Sequence, residues 1–245
     1  MTQTVSRARY DDVYNERILG RAFVEDKAYY EQSRERYWRS LVQFAKHRPA
    51  DGASLLDIGG GQFAILTQQL FGYQATAADA VSDAEADIHA AGLEFLLLNL
   101  MDEDYDTSQQ FDVISILEVI EHIPIPPYLI LGRLAKMLKP GGVLFMTTPN
   151  GFRLRNVLYM LANKRVLDHF RYNDDNEPMG HMHEYTLPQL LWQAERAGLE
   201  VLLAEQTMSG WKGASKGAAA MRALTSPAQL VPHLRESLIM TLKKP

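Results

Sequence analysis

The sequence predicts an α/β domain built on a mostly parallel sheet with helices on both faces. Three observations predict it. Short apolar runs alternate with helical stretches from about residue 54 to residue 204, the rhythm of parallel strands joined by crossover helices. The linkers between these runs are short and rich in turn residues. The composition is ordinary for a globular chain, with 245 residues, 47% of them hydrophobic and 22% charged. It excludes long disorder and fibrous repeats, and the absence of cysteine excludes disulfides, thiol catalysis and cysteine-ligated zinc.

Residues from about 10 to 48 are rich in Tyr, Arg and Glu. Ala28 to Lys46 reads as one amphipathic helix with Tyr30, Tyr37, Leu41 and Phe44 facing inward, ended by Pro49-Ala50-Asp51-Gly52. We take residues 1–50 as an amino-terminal helical lid and 51–245 as the main domain. Strands are expected at Ser54–Ile58, Tyr73–Ala78, Glu94–Leu98, Asp112–Leu117 and Val143–Thr147. Helices are expected at Phe63–Phe71, Asp83–Ala90 and Tyr128–Leu138, with Lys139-Pro140-Gly141-Gly142 turning into the fifth strand. After Pro149 the alternation breaks. Residues of about 150–185 read as a cap inserted over the carboxyl edge of the sheet, where ligands of open α/β sheets sit. The cap carries a helix at Leu154–Ala162 and the basic residues Arg153, Arg155, Lys164, Arg165 and Arg171, suited to an anionic acceptor group or to a solvated face. A helix at Leu187–Ala197 and a strand at Glu200–Ala204 resume the pattern. Gly210–Ala220 reads as a mobile loop and Ser237–Leu242 as a last strand, antiparallel if it forms a hairpin with its predecessor.

A net charge of −5 and an isoelectric point near 5.8 argue against a dedicated nucleic-acid partner, whose footprint is usually basic. No apolar run approaches the roughly 20 residues of a membrane span, and Met1 to Asp12 lacks the apolar core of a secretory signal. A cytoplasmic location is the simplest expectation; the oligomeric state is silent.

Leu55-Leu56-Asp57-Ile58-Gly59-Gly60-Gly61-Gln62-Phe63 runs from strand through glycines into helix. Glycines let the backbone bend sharply and approach a ligand without a side-chain clash. Gly59, Gly61 and Ala64 also satisfy the dinucleotide fingerprint, so an NAD-binding oxidoreductase stays open on the glycines alone. Asp57 helps separate the readings. A carboxylate at the mouth of the loop repels a pyrophosphate unless it turns away, and it suits a ligand with an ammonium and a sulfonium, as in S-adenosylmethionine. Asp79 ends the second strand, where a carboxylate can accept both ribose hydroxyls.

Together with residues 56–61, the stretches Phe-Asp-Val-Ile-Ser-Ile-Leu-Glu-Val-Ile-Glu-His-Ile (111–123), Leu-Lys-Pro-Gly-Gly-Val-Leu (138–144) and Thr-Thr-Pro-Asn (147–150) resemble the class I S-adenosylmethionine-dependent methyltransferases. The resemblance covers roughly residues 35–243. It is nearest to the branch that includes ubiquinone-biosynthesis O-methyltransferases and many sugar or natural-product methyltransferases. It implies a Rossmann-like seven-stranded sheet ending in a hairpin, with S-adenosylmethionine as cofactor across the carboxyl ends of the first strands. It also implies roles by position. Asp57, Gly59, Gly60 and Gly61 would surround the methionine moiety, and Asp79 would hold the ribose. Asn99 and Leu100 stand near adenine, where the family often has Asp-Leu, and Glu118 lies beside the methionine end. The implied reaction is methylation of a small-molecule acceptor, most simply at oxygen of a small molecule, sugar or lipid-linked intermediate. A non-catalytic S-adenosylmethionine-binding protein shares the same expectations.

Glu118, Glu121 and His122 fall at i, i+3 and i+4, one side of a helical turn. His122 suits a general base for an acceptor hydroxyl. Two carboxylates and an imidazole also suit Mg, Mn or Zn, and a third account has Glu121 and His122 only capping a helix start. Gly180-His181-Met182-His183-Glu184-Tyr185-Thr186 bears on the metal option. The small-RNA 2′-O-methyltransferases carry Glu-x-x-Glu-His and a later His-x-x-Glu-aromatic-Thr, and two Glu and two His of these bind metal. Glu118, Glu121, His122 and His181 match that pattern, so a metal-dependent RNA 2′-O-methyltransferase is a rival. Candidate catalytic residues are therefore His122, Glu121, His181 and Tyr185, with Thr186 capping the next helix. His47 and His169 read as solvated. Tyr10, Tyr14, Tyr29 and Tyr30 either roof the cofactor or pack the first helix, and Trp211, in a glycine-rich setting, could close over an acceptor, though nothing in the sequence fixes that.

Overall fold

The computed structural model describes residues 5–20, 27–102, 108–167, 180–210 and 216–245. Helix α1 (Arg7–Tyr14) runs into a π-helical turn (Asn15–Leu19) and is followed by α2 (Lys27–Phe44). Then come β1 (Ser54–Ile58), α3 (Gln62–Phe71), β2 (Gln74–Asp79), α4 (Glu85–Ala90), β3 (Glu94–Leu97) and β4 (Phe111–Leu117). The second half contains α5 (Pro127–Met137), β5 (Leu138–Pro149), α6 (Leu154–Leu161), α7 (Leu187–Arg196), β6 (Glu200–Thr207), α8 (Lys216–Thr225) and β7 (Ser237–Lys243). His169, Arg171 and Trp211 lie outside the described residues. No helix among the described residues is long and apolar enough to cross a membrane.

The strands form one seven-stranded sheet in the order β3-β2-β1-β4-β5-β7-β6. The first five strands are mutually parallel, and β7 lies antiparallel to both β5 and β6. The expected terminal hairpin is therefore present, with the reversed strand inserted between its neighbours. From β1 the chain first builds outward to β2 and β3, then returns to lay β4 on the other side. That reversal parts the loops leaving β1 and β4 and opens a crevice at their carboxyl ends.

Alternation along each strand divides the apolar side chains between two cores. Leu55, Val113, Phe145 and Ile239 join Tyr10, Tyr14, Tyr30, Phe44 and Phe63 on one face. Leu56, Ile114, Leu144 and Met240 join Ile130, Leu134 and Leu190 on the other. The amino-terminal helices are thus built into the first core. The Phe44 ring lies 5.3 Å from both Phe63 and Phe145, which fixes the end of α2 against the sheet. Tyr10, Tyr14 and Tyr30 are fully buried as packing, and only Tyr29 of the four tyrosines is partly exposed.

Three elements differ from expectation, among them β6, which runs on from Ala204 to Thr207. β5 starts at Leu138, earlier than Val143, because a bulge opposite Phe111 and Val113 absorbs the Lys-Pro-Gly-Gly stretch. The latter half of the expected loop at Gly210–Ala220 belongs to α8. Consecutive alanines, the best helix formers, outweigh the glycine among them.

Asp112 knots the start of the sheet. Its Oδ2 accepts from Ser54 N–H (2.9 Å), Ser54 Oγ (2.7 Å) and Lys139 Nζ (2.8 Å). Burial alone would raise its carboxyl, but the hydrogen bonds from Lys139 and Ser54 outweigh that and bring it down to about 2. A folded-state value below the unfolded one stabilises above the unfolded value, near pH 4, and the gain is lost as pH falls toward 2. With a third of the side chain exposed, the gain is discounted to about 1 kcal/mol. Asp112→Asn should lower the melting temperature by ~2–4 °C at pH 7 and flatten its fall between pH 4 and 2. An unchanged acid limb would remove this account.

Candidate active site

The crevice between β1 and β4 is floored by the glycine loop. Gly59, Gly60 and Gly61 all adopt left-handed backbone, with φ of 89°, 83° and 76°, so the chain turns from β1 into α3 with no Cβ in the way. Asp57 sits beneath this turn, 2% exposed. Its Oδ2 accepts the Ala64 N–H at 3.0 Å and its Oδ1 accepts the Ser115 hydroxyl at 2.6 Å. The sequence placed this carboxylate at the mouth of the loop; the structure turns it inward, where it holds the first turn of α3. Burial pushes it up to about 6 against the pull of Ser115 and the backbone amides. Its charge therefore acts on the crevice from below.

The loop is also gripped from α2. Gln62 Nε2 donates to the Tyr30 hydroxyl at 3.0 Å, and the Tyr37 hydroxyl donates to Gln62 Oε1 at 3.1 Å.

Along the same edge, Asp79 ends β2 half-buried, with the Val81 N–H 3.4 Å from its Oδ1. Beyond β3, Asn99 closes a turn by accepting the Met101 N–H at 3.0 Å, while its Nδ2 donates to Asp102 at 3.2 Å. The Leu100 side chain is 4% exposed and packs in the second core, while its carbonyl accepts from Arg133. Any part it takes toward adenine is therefore left to its backbone.

Past β4 the structure separates what helical spacing grouped. Glu118 has a φ of 57°, a left-handed conformation rare outside glycine and a marker of functional sites. Its Oε1 accepts the Thr147 hydroxyl at 2.8 Å, and its Oε2 lies 3.5 Å from Arg36 Nη1 of α2. Residues Ile120–His122 form a 3₁₀ turn, whose backbone and His122 meet residues 180–184, while the Glu121 carboxyl stays near enough to Glu118 for their charges to interact. Glu121 is fully buried. Its Oε2 accepts the Thr148 hydroxyl at 3.0 Å, and its Oε1 has no hydrogen-bond partner. Burial, and then the charge of Glu118, push its carboxyl well above the usual range.

The Glu121 carbonyl accepts the N–H groups of Met182 (2.8 Å) and His183 (3.2 Å), which pins the 180–184 segment over the 3₁₀ turn. His122 Nδ1 lies 3.2 Å from the Gly180 carbonyl, and His181 Nδ1 lies 3.0 Å from Glu184 Oε1. The two imidazoles meet edge to face with centroids 4.8 Å apart. Glu184 is in turn held by Arg153 and by Asn156 Nδ2 at 2.7 Å. This commits one basic residue of the cap to its interior. One ligand atom each from Glu121, His122 and His181 lies within 4.8 Å of the others; Glu118, the fourth member of the metal pattern, is outside that group. Tyr185 is 7% exposed, and burial pushes its phenol up to about 12, so at neutral pH it can donate a hydrogen bond but cannot serve as a base.

Sequence reasoning missed Arg36, Ser115, Asn156 and the anchoring role of Glu184. A usable signal for Arg36 was its position seven residues, two helical turns, after Tyr29 and next to the inward-facing Tyr37.

The family described as a methyltransferase domain matches residues 30–204. A ubiquinone biosynthesis O-methyltransferase of Xanthomonas oryzae pv. oryzae is 32% identical over 106 residues, 40% of this chain and 44% of that protein. The match thus spans less than half the length of this curated relative. Among solved structures, an S-adenosylmethionine-dependent methyltransferase from Mesorhizobium loti aligns with a TM-score of 0.58 at 15% identity, over 85% of this chain and 98% of that one. The cyclase SpnF aligns with a TM-score of 0.57 at 20% identity, over 91% and 85%. Such identities show the fold alone, and a cyclase on the same fold illustrates that architecture does not dictate the reaction. The family match decides what the glycines left open between a sulfonium donor and a nicotinamide nucleotide: this chain belongs to the class I S-adenosylmethionine-dependent methyltransferases, in the methyltransferase-domain family.

Proposed function

We propose that the protein methylates a hydroxyl of a small-molecule acceptor, using S-adenosylmethionine. The observation that carries this reading is the juxtaposition, at one switch point, of the bare glycine turn with the Glu121–His122–His181 cluster. The residues fit the donor. The glycine cradle is a turn too tight for side chains, since a Cβ at Gly59 or Gly60 would stand 2.5 Å from Val119 Cγ2 or Gln62 Oε1, and Asp79 offers a carboxylate for ribose hydroxyls. Arg36 and Glu118 offer opposite charges for the carboxylate and ammonium of a methionine tail. When bound, the donor supplies an electrophilic methyl group on a sulfonium. The chain's own work is to hold the acceptor in line with it, an alignment that can be worth ~7–11 kcal/mol, and to activate the hydroxyl at the cluster. That the ubiquinone-biosynthesis relative is an O-methyltransferase supports oxygen as the methylated atom.

Calorimetry with S-adenosylhomocysteine and with NAD tests the donor: the first is expected to bind and the second not. His122→Ala should lower turnover by ~10²-fold or more, the usual loss for removing a group that activates the acceptor, with S-adenosylhomocysteine affinity retained. Undiminished turnover would remove His122 from the chemistry.

Asp57 adds a pH dependence. Protonation of its carboxyl, held up to about 6 by burial, removes negative charge from under the cradle. S-adenosylmethionine should therefore bind several-fold more weakly at pH 5 than at pH 7. Asp57→Asn should flatten that profile, and an equally steep one in the variant would assign it to another group.

A further inference from the structure

We propose that the face formed by α6 and α8 docks on an anionic lipid surface, a peripheral contact made at the edge where the crevice opens. α6 is turned the wrong way round for a helix that packs on a core. Its one buried residue is Asn156, whose Nδ2 donates to the Gly151 carbonyl at 3.1 Å and to Glu184 at 2.7 Å. A surface helix of a globular protein normally lays its apolar stripe inward. Here Met160 and Leu161 point outward, Leu161 with 80% exposure, and Phe152 just before the helix is exposed as well. α8 is a neighbour of α6 and shows the same habit. Its Leu224 is exposed, and Leu230, in the short turn that follows, is 85% exposed. Single exposed leucines are ordinary, but a set shared by two adjacent helices marks a contact surface.

Both helices stand on the crevice side of the sheet. α6 follows the end of β5, and α8 lies between the end of β6 and the start of β7, where Ser237 pairs with Pro149 and Thr207.

Charge selects the occupant. Residues 150–167 and 216–235 together hold seven Lys or Arg and no Asp or Glu, in a chain whose net charge is −5. Lys164 at the end of α6 is exposed, with its ammonium 5.9 Å from the Tyr159 ring centre. Cations beside outward-facing leucines suit an interfacial helix, whose apolar face enters the acyl boundary while the cations meet anionic headgroups. A second copy meeting through the same face would instead bring like charges together. Lipid is therefore the better fit.

The test sediments the full chain with vesicles of phosphatidylcholine, alone or mixed with phosphatidylglycerol. Binding to the mixed vesicles is expected to be at least ~10-fold tighter and to weaken as salt is raised. Leu161→Gln/Leu230→Gln should weaken it at least ~10-fold and Lys164→Gln ~5-fold. These positions are exposed, so both variants should melt as the parent does. Trp192→Gln, beside Glu200 and Pro245 at the other end of β6, should bind vesicles unchanged. The proposal is overturned if the chain ignores both vesicles, as it would were residues 168–179 to cover the patch. Equal binding to both vesicles, or undiminished binding by the double leucine variant, also overturns it. A dimer that the leucine substitutions dissociate, with no vesicle uptake, would assign the face to a second copy instead. S-adenosylhomocysteine affinity, measured in the same samples without vesicles, reports on the methyltransferase reading separately.

Discussion

Replacing Gly59 with alanine is expected to abolish S-adenosylhomocysteine binding and to lower the melting temperature by roughly 4–20 °C. Two costs add at this position. Its φ of 89° lies where a side chain costs about 1–2 kcal/mol. A Cβ there would also stand 2.5 Å from Val119 Cγ2, and overpacking of that kind costs about 1–3 kcal/mol. At ~2–4 °C per kcal/mol for a chain of this size, the sum gives the expected range. The loss of binding has a separate cause, because Val119 follows Glu118, so relief of the clash pushes apart the two loops that form the crevice. The double variant Gly59→Ala/Val119→Ala should regain the part due to the clash and keep the part due to φ. Gly72→Ala is the control: its φ is 65° with nothing within 4 Å of a Cβ, so it should cost only the same about 1–2 kcal/mol and leave binding intact. A Gly59→Ala protein that melts and binds like its parent would remove the cradle from the site.

What could be read from the sequence followed from local patterns. Short apolar runs located the strands within a residue or two, apart from the early start of β5 and the last three residues of β6, because each strand feeds a core on both of its faces. The glycine run located the cradle, because only glycine enters left-handed backbone freely. What could not be read depended on partners distant in sequence. Asp57 was expected to face the ligand, but the Ser115 hydroxyl from the neighbouring strand, 58 residues on, draws it inward. The i, i+3, i+4 argument for Glu118, Glu121 and His122 assumed an α-helix. Glu118 instead adopts positive φ and the next residues a 3₁₀ turn, so one carboxylate goes to Arg36 and the other to the histidines. Arg36 itself was invisible, because its meaning comes from a strand end 82 residues away.

That pairing gives the second large effect. Arg36 and Glu118 are only 14% and 16% exposed at their side chains, and Arg36 Nη2 also donates to the Tyr29 hydroxyl at 2.8 Å. Arg36→Met leaves Glu118 next to the buried Glu121 with its counter-charge gone. Removing one partner of a buried pair costs about 3–5 kcal/mol; the residual exposure and the 3.5 Å separation place this pair at or below the lower end. On the proposed reading the same substitution removes the cation offered to a methionine carboxylate, so S-adenosylhomocysteine should bind at least ~10-fold more weakly. Adding Glu118→Gln to Arg36→Met should restore stability, since the uncompensated charge is gone, without restoring affinity. Arg36→Lys should fall between, keeping the charge but losing the planar fork that reaches Tyr29 and Glu118 together. A double variant that melts no higher than Arg36→Met would mean that the two charges are not coupled. Unaltered affinity in Arg36→Met would mean that α2 packs the core without reaching the donor.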